Sequence, residues 1–147
     1  MKSNVNVALN LSVNSAYPTS DEVSEILNFG KRYPSGDNCQ PFLILQTSLN
    51  EFEIKYQSER GKHFLNTNNI PSAITLGFLI ESLSLGASQK NCQIEYQKDT
   101  DYQTDAPNWL KFRIMKSESV KDFLSDYIFL RHTNRGLYSQ NLSEIEK

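Results

Sequence analysis

Apolar residues recur at strict two-residue spacing at the start of the chain: Val5, Val7, Leu9, Leu11 and Val13, with Asn4, Asn6, Asn10, Ser12 and Asn14 mostly between them. A period of two predicts a strand with one buried face. Its other face is Asn and Ser rather than charge, so the strand suits a sheet edge or a dimer as well as the chain's own core. Tyr17-Pro18 ends the extended run. The period then lengthens: Thr19-Ser20-Asp21-Glu22 has the form of a capping box, Val23, Ile26 and Leu27 follow on one helical face, and Gly30 supplies a stop. A short helix therefore delivers the chain to Lys31.

Beyond it lie a Pro-, Gly-, Asp- and Asn-rich loop from Tyr33 to Pro41, an apolar strand at Phe42 to Gln46, a turn around Leu49-Asn50 and an alternating strand at Phe52, Ile54 and Tyr56. Two strands this close predict an antiparallel pair. From Ser72 to about Gln89 the chain is apolar on most sides, with a single acid at Glu81, which predicts a central buried helix. Gly77 in its middle costs up to about 1 kcal/mol against Ala, so a close helix contact is expected there. Strands are predicted at Cys92 to Tyr96 and Trp109 to Met115, separated by an exposed polar loop from Lys98 to Asn108. Val120, Phe123, Leu124, Tyr127, Ile128 and Leu130 predict a final amphipathic helix running into Arg131. The pattern implies an α+β fold, a mainly antiparallel sheet packed on helices, organised as an N-terminal strand or extension over 1–18 and one domain over 19–147.

Composition narrows the class. At 147 residues the chain fits one domain that buries a core without disulfides or metals. Fifteen Lys plus Arg against seventeen Asp plus Glu leave a net charge of −2, which lacks the global field of a nucleic-acid or membrane-surface binder. Cys39 and Cys92 have no CxxC or Cys/His metal spacing, so no metal is expected. The longest uninterrupted apolar run, Phe42 to Leu45, is far short of the roughly 20 residues that span a bilayer, and the N-terminus lacks the apolar stretch of a secretory signal. The expectation is a cytoplasmic protein with no membrane segment.

Two stretches carry candidate chemistry. Pro34-Ser35-Gly36-Asp37-Asn38-Cys39-Gln40-Pro41-Phe42 is a loop opening into a strand: Gly36 frees the backbone, and Ser35, Asn38 and Gln40 offer neutral groups that donate and accept. It either presents hydrogen bonds to a planar heteroaromatic or polyol ligand, or is a turn that satisfies its own backbone. Arg131-His132-Thr133-Asn134-Arg135 places two guanidiniums four apart around a hydroxyl. That is either a phosphate clamp or a helix C-terminus neutralised by cations. His63 reads as a loop histidine, Glu81 as a helix-rim acid, Cys39 as a small packing residue, and Trp109 and the tyrosines as core aromatics. No residue is assigned a catalytic role.

Together the two stretches resemble the FMN-dependent nitroreductase family. Pro34 to Phe42 is similar to its P-S-x-x-N-x-Q-P-W loop, with Phe42 in place of Trp, and Arg131 to Arg135 resembles its R-x-S/T-x-R/K motif. The match is closest to the tandem, Acg-like branch, whose first half and the start of whose second half correspond to about Ser20 to Ser139. The resemblance implies that Arg131, Thr133 and Arg135 hold the FMN phosphate and the flavin's polar edge, and that Ser35, Asn38 and Gln40 reach the flavin, typically across a subunit or half-domain interface. It implies NAD(P)H as electron donor, a nitroaromatic, quinone or similar small molecule as acceptor, and a homodimer or a second half in a longer chain that completes the pocket. The alternative is a non-catalytic dimerisation or interaction domain that keeps the fold without binding flavin.

Overall fold

The computed structural model describes residues 16–62, 64, 66–98, 108–118 and 120–133. The alternating segment at Val5 to Val13, His63, residues 99–107 of the polar loop, and Arg135 lie outside them. The architecture is α+β: helix α1 (Ser20–Gly30), strands β1 (Phe42–Gln46) and β2 (Glu51–Tyr56), a single turn of helix α2 (Ser58–Gly61), the long helix α3 (Ile70–Gln89), and strands β3 (Cys92–Lys98) and β4 (Asn108–Lys116). The four strands form one antiparallel sheet in the order β1-β2-β4-β3.

Helix α1 starts where the capping box places it. The Thr19 hydroxyl accepts from the Glu22 amide and the Glu22 carboxylate accepts from the Thr19 amide at 2.8 Å. The same carboxylate takes the Lys116 ammonium at 2.5 Å, tying the first turn of α1 to the end of β4. Lys116 and the Thr19 amide hold the Glu22 carboxyl below its ordinary range.

The sheet buries one face against α1 and α3. In β2 the alternation is complete: Phe52, Ile54 and Tyr56 point into the core and Glu51, Glu53 and Lys55 point away. Against them lie Val23 and Ile26 of α1 and Leu76, Leu79 and Leu83 of α3. The opposite face is laced with charge, Arg113 to Glu95 at 2.6 Å and Lys111 to Glu53 at 3.8 Å. A register shift sets Ile54 opposite Leu110 but Lys55 opposite Asn108. Trp109 is thus the extra residue of a β-bulge, which lets it join Leu110 in the core, where it stacks on Tyr56 at 4.3 Å and meets the edge of Phe42 at 5.4 Å.

Three expectations about glycines and helices are corrected. Gly77 faces open space. The close helix contact is made instead by Gly86, where an added Cβ would sit 2.8 Å from Phe29 Cβ, and by Gly30, where it would sit 2.7 Å from Leu83 Cδ2. Helix α3 is also less enclosed than its composition predicts, since Ile70, Ile74 and Phe78 form an exposed stripe. With the preceding turn it is long and apolar enough to cross a membrane by length and composition, although no single apolar run shows this; half of that apolar window is buried, as in a core helix.

The third correction concerns the last helix. Residues Phe123–Asp126 form a short 3-10 turn, followed by further turns to Leu130. The Asp122 carboxylate accepts from the Leu124 amide, and the Ser125 hydroxyl donates to the Asp122 carbonyl. These local bonds compete with an α-helix for the same backbone groups. Gln89 of α3 pins the turn through Ser125 and Asp126. Only Ile128 of the supposed apolar face is buried, with Phe29 and Leu85, while Val120, Phe123, Leu124, Tyr127 and Leu130 are exposed.

Candidate functional site

The loop from Tyr33 to Pro41 leaves the end of α1 and enters edge strand β1. Gly36 does not supply its unusual backbone. The left-handed positions are Asp37 (φ 49°), Asn38 (φ 55°) and Gln40 (φ 42°). Asp and Asn tolerate that region, whereas Gln40 stores strain there. The strain is held by a specific bond, the Gln40 amide donating to Ser35 Oγ at 2.9 Å, beside a turn closed by the Asn38 amide on the Ser35 carbonyl and the Cys39 amide on the Gly36 carbonyl. Ser35 thus serves as the loop's internal acceptor. Asn38 is exposed and Gln40 half-buried.

The second candidate stretch meets the base of this loop within one chain. Arg131 Nη2 donates to the Arg32 carbonyl at 2.7 Å, three residues before Ser35, and the Arg32 guanidinium lies over the Phe129 ring at 5.2 Å. Phe129 in turn packs edge-on against Phe29 at 4.7 Å. This interlock brings Arg131 to the C-terminal end of α1. Arg131 and Thr133 are exposed, and a guanidinium has five donors, of which the bond to the Arg32 carbonyl uses one. The structure therefore groups Ser35, Asn38 and Gln40 on one loop and Arg131 near its start, with Thr133 two residues further on.

Between the end of α1, the loop, β1 and α2 lies a mostly apolar cavity of about 270 Å³, whose lining includes Gln40. Lys31 and Arg60 line it too, and among the described residues no carboxylate does. Sequence reasoning missed both cations, because nothing in the spacing of residues 31 and 60 indicates that α2 folds back toward α1. Arg60 is placed by its neighbour. An added Cβ at Gly61 would fall 2.1 Å from the Tyr56 hydroxyl, and that hydroxyl belongs to a buried network in which Asn66 Nδ2 also donates to the Gly61 carbonyl at 2.7 Å and to Ser72 Oγ at 2.9 Å. Tyr33 borders the same cavity, and burial pushes its phenol up while the nearby Phe42 amide, short of hydrogen-bonding geometry, opposes the rise.

A larger concavity of about 540 Å³ opens on the charged face of the sheet, but its Arg113, Lys111, Glu95 and Glu53 are paired with one another. The remaining candidates recede. Glu81 is exposed on α3 and Cys39 is half-buried. Burial pushes the Cys92 thiol up, away from the thiolate a nucleophile needs. Among the described residues no group of three or more His, Cys, Asp or Glu side chains is placed to hold a metal. No protein-family model matches the chain, and no curated protein aligns with it significantly.

Proposed function

We propose that this chain is the binding half of an FMN-dependent oxidoreductase of nitroreductase type, taking electrons from NAD(P)H and delivering them to a nitroaromatic, quinone or similar acceptor. One observation supports the reading above others: a strained, internally bonded loop presents neutral amide side chains, and a guanidinium is fastened at the loop's base through Arg131 and the Arg32 carbonyl. Neutral donors and acceptors suit a flavin's polar ring edge, and a guanidinium suits its phosphate. The donor set therefore fits FMN. The enclosed volume does not take all of it, since 270 Å³ lies below the roughly 300 Å³ at which pockets for drug-sized ligands begin. In this reading the flavin lies across the loop's outer surface and a second chain closes over it.

Bound FMN supplies hydride chemistry, and the protein supplies orientation and electrostatics. Arg131 and Thr133 are assigned to the phosphate, with Arg135 as the further cation that the motif resemblance implies. Asn38 and Gln40 are assigned to the ring, and Ser35 keeps the loop in register. Replacing Arg131 by Ala is expected to weaken FMN binding about tenfold or more, the usual scale for losing a charge-assisted pair, while leaving the circular dichroism spectrum unchanged. Unaltered affinity overturns the phosphate assignment.

A non-catalytic interaction domain is the second reading, favoured by the exposed Ile70, Ile74 and Phe78 stripe on α3. Light scattering with and without FMN separates the two. A dimer that binds flavin supports the oxidoreductase, and a dimer indifferent to flavin supports the interaction domain.

A further inference from the structure

We infer that the cavity between α1, β1 and α2 is a binding site for an unbranched monocarboxylate of medium chain length. The inference does not rest on flavin binding. Leu27, Phe42, Leu43, Ile44 and Leu79 give the cavity a mostly aliphatic wall, which suits an acyl chain better than a polar metabolite. Its charge is of one sign. Lys31 and Arg60 line it, and each is steered by a neutral amide rather than by an acid: Lys31 Nζ donates to Asn28 Oδ1 at 3.1 Å and Arg60 Nη1 approaches Gln57 Oε1 at 3.4 Å.

Among the described residues no carboxylate pairs with either cation, in contrast to the matched charges across the sheet's outer face. At the end of α1 the carbonyls of Leu27, Phe29 and Gly30 accept from the amides of Lys31, Arg32 and Tyr33. An anion here has Lys31 and Arg60 along the lining and, among the described residues, no carboxylate, and an attached chain meets an apolar wall. At about 270 Å³ the volume favours a chain of intermediate length.

The test is calorimetric titration of the purified, flavin-free chain with butanoate, octanoate and octan-1-ol. Octanoate is expected to bind saturably and at least tenfold more tightly than either of the others. Butanoate has the charge without the chain, and octan-1-ol has the chain without the charge. The double variant Lys31→Gln/Arg60→Gln, altered only at exposed positions, is expected to lower octanoate affinity at least tenfold. Leu43→Glu, which sets a carboxylate on the half-exposed wall, is expected to do the same. Arg131→Ala is expected to leave octanoate binding intact, so failure of this site and failure of the flavin site are distinguishable. Absence of saturable octanoate binding at millimolar concentration overturns the inference, as does affinity unchanged in both cavity variants.

Discussion

Glu22 shows how much a single side chain contributes here. Its two carboxylate oxygens close the capping box of α1 and reach Lys116 on β4, so one residue fixes both where a helix begins and how it meets the sheet. Because Lys116 and Thr19 lower its pKa in the folded chain, the folded state holds the charged form more firmly than the unfolded chain does. The resulting stability is complete above the ordinary carboxylate range and is lost as pH falls through the lower folded value. Unfolding midpoints measured across acidic pH should therefore fall less steeply for Glu22→Gln than for the parent, and parallel curves would show that the pair contributes nothing. Thr19→Ala removes the reciprocal bond and should cost about 1 kcal/mol in denaturant unfolding; an unchanged midpoint would count against the cap. The box itself was legible, since its residues are adjacent in sequence. The link to Lys116 was not, because it joins residues 94 positions apart.

At the scale of elements, the contact between α1 and α3 is set by two glycines and not by the one in mid-helix. Gly86→Ala would drive a methyl into Phe29 at 2.8 Å and is expected to destabilise by about 1–3 kcal/mol, as overpacking does. Gly77→Ala meets open space and should stabilise by about 0.5–1 kcal/mol through helix propensity. Thermal melts of the two variants should move in opposite directions, and shifts of the same sign would contradict the packing described. Strand β2 followed from its alternation, which gives it one dry and one wet face, and β1 from its apolar run beside the turn that joins the pair. The 120–130 segment misled because its apolar spacing suits a helix, while Asp122 and Ser125 capture the backbone locally. Periodicity reports which residues are apolar and is silent on which backbone bonds win.

For the whole molecule, the α+β architecture could be read from the order of helical and strand periods, and the loop from Ser35 to Gln40 stood out by residue type. Its strain could not be read, because Gln40 gives no local sign that a bond to Ser35 Oγ holds it left-handed. Nor could the cavity, which needs α1, β1 and α2 in place before Lys31 and Arg60 become neighbours across it. A polar loop beside Arg131, proposed above to take FMN, and an apolar cavity lined by Lys31 and Arg60 thus lie next to each other.

The most direct measurement is a titration of FMN with the purified chain, followed by quenching of flavin fluorescence. Saturable quenching that requires Arg131 and is accompanied by a doubling of mass is the expected result. Fluorescence that stays at the level of free FMN at every protein concentration would contradict the claim that this loop and this guanidinium form a flavin site.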